Sequence, residues 1–216
     1  MVRSEKAVDW SLYVITDTQV IGARSLVDVV ESALRGGATV LQYREKKKST
    51  RIMVEEATAL AALCRRYRVP FFINDRIDVA LAVDADGVHL GQDDMPVPVA
   101  RRLLGPRRLI GVTVHNPQEI HKAQQDQADY ISLAPVFATP TKPDHQTPMG
   151  LDGLKRLMAC VRCPAVAIGG INAENIGQVM QAGLKGVCVV SAVLGQNDPE
   201  QAARTLRTLM PPKSAS

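Results

Sequence analysis

Short apolar runs alternate with amphipathic stretches along almost the whole chain. Runs at 11–16, 39–43, 70–74, 87–91, 109–113, 130–134, 164–168 and 186–190 are nearly continuous in aliphatic and β-branched residues. This pattern predicts parallel strands buried on both faces. Between the first two runs, Leu26, Val29, Val30, Ala33 and Leu34 repeat at helical spacing, and Gly36-Gly37 stops the stripe. Met53, Ala57, Leu60, Ala61 and Cys64 form a second stripe, with Glu55, Glu56, Arg65 and Arg66 on the other side. Asn116-Pro117-Gln118-Glu119 reads as an N-cap, a proline in the first turn and an acid at the third position. Asp198-Pro199-Glu200 opens the last helix in the same way, and Asn172 is expected to cap the helix carrying Ile176, Val179 and Met180. Eight such steps without a linker or a change of composition predict one α/β domain over 1–216, a single (β/α)8 TIM barrel. A doubly wound open sheet is the alternative. Segments 1–9 and 211–216 are expected to be frayed ends.

Composition narrows the class. The chain has 216 residues, 46% hydrophobic and 22% charged, with only 4% aromatic. That length buries a sizeable core without disulfides or metals. The formal charge of +4 suits anionic small molecules. Nucleic acid is not expected as a partner, because basic residues are dispersed and stacking aromatics are few. Arg101, Arg102, Arg107 and Arg108 flank Gly105-Pro106 and read as a solvated face that complements a helix end. Cys64, Cys160, Cys163 and Cys188 are too few for a disulfide framework, and the opening MVRSEKAVDW is polar. A cytoplasmic protein with reduced thiols is expected, and Cys160-x-x-Cys163 is read as ordinary buried thiols. No run is long enough for a membrane span. A homo-oligomer is compatible with the sequence.

If the barrel is right, its chemistry lies at the C-terminal ends of the strands. Asp75 follows the third run and Asp94 the fourth, so both carboxylates fall at neighbouring strand ends. There they could share a hard cation such as Mg²⁺, which takes oxygen ligands and bridges to phosphates. They could equally be helix caps or loop acids. After the second run, alternation puts Gln42, Arg44 and Lys46 on one face, with Tyr43 and Glu45 on the other. Inward donors of this kind are costly unless an anion or water meets them. Arg44 with Lys46 suits a diphosphate; a charged loop is the plainer reading, and it is preferred for Lys47 and Lys48. Asn74 can hydrogen-bond a heterocycle, and Thr113 adds a hydroxyl at the rim. Thr139, Thr141 and Lys142 lie in a proline-stiffened loop that is either an anion clamp or a surface turn. Gly169-Gly170 after the seventh run and Val190-Ser191 after the eighth occupy the recurring phosphate position of this fold. His89, His115, His121 and His145 are scattered, and His89 is read as a packed or rim residue. No Ser–His–Asp or Cys–His order is evident.

Six short motifs in order then carry a resemblance: QYREK at 42–46, INDR at 73–76, DGVHLGQDD at 86–94, TPTK at 139–142, IGGI at 168–171 and VVSA at 189–192. Together they cover most of the chain and resemble the thiamine-phosphate synthases. The resemblance implies a transferase that joins hydroxymethylpyrimidine diphosphate to a thiazole phosphate and releases pyrophosphate. It implies that Gln42, Arg44, Lys46, Asn74, Thr113 and Lys142 contact the pyrimidine diphosphate. By the same similarity Asp75 and Asp94 hold Mg²⁺, and Thr139, Thr141, Gly170, Val190 and Ser191 hold the thiazole phosphate. Arg44, Lys46 and Lys142 would carry the catalytic charge. Thr113 departs from the serine expected at its position. Three other readings remain: a thiazole tautomerase-like barrel, a Schiff-base aldolase using Lys142, and a non-catalytic sensor of phosphate ligands.

Overall fold

The structure, a computed structural model, describes residues 8–139 and 147–211. Its strands are β1 (Leu12–Ile15), β2 (Val40–Tyr43), β3 (Phe71–Asn74), β4 (Gly87–Leu90), β5 (Leu109–Val114), β6 (Tyr130–Leu133), β7 (Ala165–Ala167) and β8 (Gly186–Val189). Each coincides with an expected run. All neighbours pair in parallel, and β1 pairs with β8 through Tyr13 and Cys188, so the sheet closes. The fold is a TIM barrel, and the open-sheet alternative is excluded.

Among the described residues, the helices are α1 (Thr18–Ile21), α2 (Leu26–Arg35), α3 (Thr50–Tyr67), α4 (Ile77–Ala82), α5 (Val97–Leu104), α6 (Pro117–Gln125), α7 (Gly150–Met158), α8 (Ile176–Met180), α9 (Ser191–Leu194) and α10 (Pro199–Leu209). The apolar stripes of α2 and α3 face the strands as their spacing requires. Asn116 caps α6 through the Glu119 amide, and the Glu119 carboxylate accepts the His115 amide in return. Asn172 does not cap α8. The chain makes one more turn first, so Asn175 stands at the N-cap while Asn172 accepts the Glu174 amide. The short helices α1 and α9 carry too few residues to leave a periodic signal.

The barrel interior follows from strand alternation. Leu12 and Val14 of β1 face the helices, whereas Tyr13 and Ile15 point inward. Trp10, Tyr13, Phe72 and Tyr130 fill the lower interior, with the Trp10 and Tyr130 rings 4.3 Å apart. Four of the eight aromatic residues are therefore concentrated in one place. Glycines make room for them: a Cβ on Gly111 would lie 2.0 Å from Tyr130 Cζ, and one on Gly87 would lie 2.6 Å from Phe72 Cε1.

Several surface expectations change. Val8 packs against the inner aromatic cluster and Asp9 accepts from the Ser11 amide, so 8–9 are tied down rather than frayed. Residues 1–7 and 212–216 lie outside the described residues. Cys160 is exposed and Cys163 half-buried; both are free, but neither is the buried thiol expected. The arginines near Gly105 do serve a helix end, but two of them are anchored rather than solvated. Arg101 donates to the Gly105 and Arg108 carbonyls and pairs with Asp129, and Arg108 pairs with Asp84.

The close approach at Gly111 makes a stability prediction. Gly111→Ala should lower the unfolding free energy by about 1–3 kcal/mol, because the added methyl must displace the buried Tyr130 ring. Urea denaturation would read this, and an unchanged midpoint would show that the barrel floor is not tightly packed there.

Candidate active site

The same alternation that buries aromatics below brings polar groups to the top. Inward residues near the strand ends are Ile15, Gln42, Asn74, His89, Thr113, Ser132, Ile168 and Val190, and all of them line one pocket. Arg44, Lys46, Asp75, Asp94, Thr139, Gly170 and Ser191 line it as well. The expected site residues within the described chain are thus brought together. Thr141 and Lys142 lie outside the described residues.

A buried chain of polar groups crosses the pocket floor. The Gln42 amide donates to the Tyr13 hydroxyl at 2.8 Å, and Tyr13 meets the Tyr130 hydroxyl at 2.9 Å. Tyr130 meets His89 Nδ1 at 2.9 Å, and His89 Nε2 meets the Thr113 hydroxyl at 2.8 Å. Burial pushes both tyrosine hydroxyls far above their ordinary pKa, so they stay protonated and serve as hydrogen-bonding groups. His89 is the packed residue expected, and it is also a pocket residue. Tyr13 and Tyr130 carried no sequence signal for this role, because an inward tyrosine on a strand looks like any core aromatic.

One wall is cationic. The Arg44 guanidinium donates to Asp17 at 2.6 Å, and the Lys46 ammonium pairs with Asp75. The inward donors therefore have protein partners already, contrary to the expectation that only an anion or water would meet them. Tyr43 and Glu45 do face away: Tyr43 donates to Glu56 at 2.6 Å, and Glu45 accepts the amides of Lys46 and Lys47. Lys48 pairs with Glu56 and plays no part in the pocket, as its plainer reading held.

Asp75 and Asp94 converge beside this wall. Neither is a helix cap: Arg76 precedes α4 and Pro96 precedes α5. Asp75 sits in the left-handed region at φ 58°, a conformation an aspartate tolerates at a cost of about 1 kcal/mol. Its amide donates to the His89 carbonyl at 2.9 Å, which locks the turn. Asp94 accepts the Gly91 amide at 2.7 Å. Burial, and then the adjacent Asp94, raises the Asp75 carboxyl above its usual range. Asp94 is held low, against its own burial, by its hydrogen bonds to Asp75 and to the Gly91 amide. Two such carboxylates favour a cation between them. Among the described residues no group of three or more His, Cys, Asp or Glu side chains gathers around a point. A cation here would draw its remaining ligands from water or substrate, which fits Mg²⁺ better than a metal that needs a full protein cage.

The opposite wall is backbone. Gly169 and Gly170 have φ 108° and 62°, and a Cβ on Gly170 would lie 2.7 Å from the Ala138 carbonyl oxygen. Asn175 donates to the Gly170 carbonyl and accepts the Asn172 amide, which stiffens this turn. Ser191 opens α9. Short helices at this place commonly present amides to a phosphate in barrels of this kind.

Residues 12–193 match the family model of thiamine monophosphate synthase. The chain is 57% identical to the thiamine-phosphate synthase of Chloroflexus aurantiacus over 94% of both chains. The chain belongs to the thiamine-phosphate synthase family. It is therefore a transferase. The thiamine phosphate pyrophosphorylase structure from Pyrococcus furiosus superposes with a TM-score of 0.85 at 42% identity, covering 94% of this chain and 96% of that one. A 3-hexulose-6-phosphate synthase superposes at 0.68 with 16% identity, covering 93% and 100% of the two chains, which shows the shared barrel alone. No helix among the described residues is long and apolar enough to cross a membrane. Among the described residues, this pocket has one cationic wall and one wall of backbone, and no Ser–His–Asp arrangement lines it.

The floor chain makes a prediction of its own. Tyr130→Phe removes the hydroxyl shared by Tyr13 and His89 in a fully buried setting. It should cost about 1–3 kcal/mol of stability by chemical denaturation. An unchanged stability would mean that the chain contributes nothing to holding the floor.

Proposed function

We propose that this pocket joins 4-amino-2-methyl-5-hydroxymethylpyrimidine diphosphate to a thiazole phosphate, with or without a carboxylate, to give thiamine phosphate and pyrophosphate. The observation that carries this reading is the convergence of Arg44, Lys46, Asp75 and Asp94 on one side of a pocket whose other side is Gly170 and Ser191. Gln42, Asn74 and Thr113, at the rim of the polar floor, suit the pyrimidine, and Arg44, Lys46 and Lys142 suit its diphosphate. Thr139, Thr141, Gly170, Val190 and Ser191 suit the thiazole phosphate, through hydroxyls and backbone amides.

The chemistry is a dissociative displacement. The C–O bond to the diphosphate breaks as its electrons leave with the oxygen, and the pyrimidine amino group stabilises the resulting methylene cation. The thiazole nitrogen then attacks that carbon. The chain's tasks are to stabilise charge on the departing oxygens with Arg44, Lys46 and Lys142, and to hold the two rings close. Asp75 and Asp94 would hold Mg²⁺, which would supply further positive charge for the diphosphate. Lys46 then has a second anion within reach beyond Asp75, and its long stem allows it to serve the diphosphate.

Pyrophosphate release from the pyrimidine diphosphate, measured with and without thiazole phosphate and Mg²⁺, tests the reading. Release that depends on both supports it. Thiazole phosphate binding without any turnover favours the sensor. Isomerisation of the thiazole without pyrophosphate release favours the tautomerase-like barrel. Borohydride trapping of a carbonyl substrate on Lys142 favours the aldolase.

Two predictions follow from the division of the pocket. Asp75→Ala or Asp94→Ala should cut turnover roughly a hundredfold, about 3 kcal/mol, while the fold survives. Near wild-type rates in both variants at limiting Mg²⁺ would refute the metal assignment. Arg44→Ala should weaken the pyrimidine diphosphate by about 1.5–3 kcal/mol and spare the thiazole phosphate, because a charged partner is lost. Ser191→Ala should do the reverse and cost only about 1 kcal/mol, since backbone donors remain. Separate titrations with each ligand would expose an inverted assignment.

A further inference from the structure

The corner that follows β1 takes no part in the pocket, yet it holds the loop that does. Thr16 Oγ1 accepts the Arg44 amide at 2.9 Å and donates to the Arg44 carbonyl at 3.3 Å, which fixes the backbone there. Asp17 Oδ2 holds the Arg44 guanidinium at 2.6 Å. Its other oxygen, Oδ1, accepts the Gln19 and Val20 amides at 2.9 and 3.3 Å. Thr18 donates to Glu45 Oε2, and Glu45 Oε1 accepts the amides of Lys46, Lys47 and Lys48. Three consecutive residues thus grip the backbone, the side chain and the following turn of the cationic loop. Thr16, Asp17 and Glu45 are buried. Thr16, Asp17, Thr18 and Glu45 all lie outside the pocket lining.

We infer that Thr16-Asp17-Thr18 is a positioning element for the leaving-group site, with Asp17 acting through Arg44. This rests on the reading of Arg44 as a ligand of the pyrimidine diphosphate. A long guanidinium side chain loses much rotamer freedom when it grips an anion, and a fixed partner removes that loss in advance. Asp17 is itself fixed, because its second oxygen is committed to the start of α1. The guanidinium keeps further donors for a ligand after one has gone to Asp17. Charge works the other way: a carboxylate beside Arg44 weakens its pull on an anion. The two effects predict opposite signs when Asp17 is removed. Positioning dominates here because Asp17 is held by the α1 amides and cannot follow the guanidinium, so Arg44 meets a ligand in one fixed pose.

Steady-state kinetics with each substrate varied in turn decides the matter. Asp17→Ala should raise KM for the pyrimidine diphosphate about tenfold and leave KM for the thiazole phosphate within about twofold. In an Arg44→Ala background the same substitution should add nothing, because the group it positions is gone. Asp17→Asn keeps an oxygen for the α1 amides and gives a smaller rise of the same sign; it carries the comparison if the alanine variant fails to fold. A KM that falls or stays constant in the Asp17 variants overturns the inference, and so does full additivity with Arg44→Ala. If Arg44→Ala itself leaves this KM unchanged, the substrate assignment falls and the inference falls with it. If Arg44→Ala raises the KM and Asp17→Ala does not, only the inference fails.

Discussion

A closed eight-stranded barrel has an interior that side chains must fill, and that packing constraint organises everything else in this protein. Inward positions occur at every second residue of each strand. In the lower layers Tyr13, Phe72 and Tyr130 take such positions, with Trp10 packed beside them, and glycines at 87 and 111 make the room. The rings cannot sink further, so the uppermost inward positions are free to be polar. Gln42, Asn74, His89, Thr113 and Ser132 occupy them and open onto a pocket. The two tyrosines join the layers, packing their rings below and offering their hydroxyls above.

The electrostatics of the rim follow a second constraint. Cations gathered to meet an anion repel one another, and buried carboxylates are costly without partners. The chain meets both costs by pairing them: Arg44 rests on Asp17 and Lys46 on Asp75. The pairs are not equivalent. Asp17 is anchored by helix amides, so it holds Arg44 in place. Asp75 stands beside Asp94 at an open rim, where a divalent cation can compete with the half-exposed Lys46 for the same oxygens. In the proposed function, a site pre-formed on one side and exchangeable on the other suits a leaving group that must be gripped and then released.

Much of this was legible in the chain itself. Continuous apolar runs mark buried parallel strands because both faces of each must be covered, and their number and spacing pointed to a barrel, although only closure excluded an open sheet. Strand alternation also separated Gln42, Arg44 and Lys46 from Tyr43 and Glu45, since that period is fixed by backbone geometry. The position of Asp75 and Asp94 after neighbouring strands put both at one rim, because parallel strand ends lie side by side, but it left open whether they were helix caps. The Asn172 cap failed by one turn. Capping signals locate a helix start only approximately where Asn occurs twice in four residues.

What only the tertiary structure decided concerns groups whose meaning depends on a distant partner. Asp17 in the sequence is an acid before a four-residue helix; its hold on Arg44 exists because β1 and β2 lie side by side. Tyr13 and Tyr130 are far apart in the chain and read as ordinary core residues, and barrel closure alone makes their hydroxyls meet between Gln42 and His89. The left-handed turn at Asp75 likewise depends on the His89 carbonyl of the next strand. Local periodicity is written into neighbouring residues, so the sequence determined the elements and the face each residue takes. Hydrogen bonds across the barrel depend on register and closure, which no local window contains, so the partners of the site residues were settled only in three dimensions.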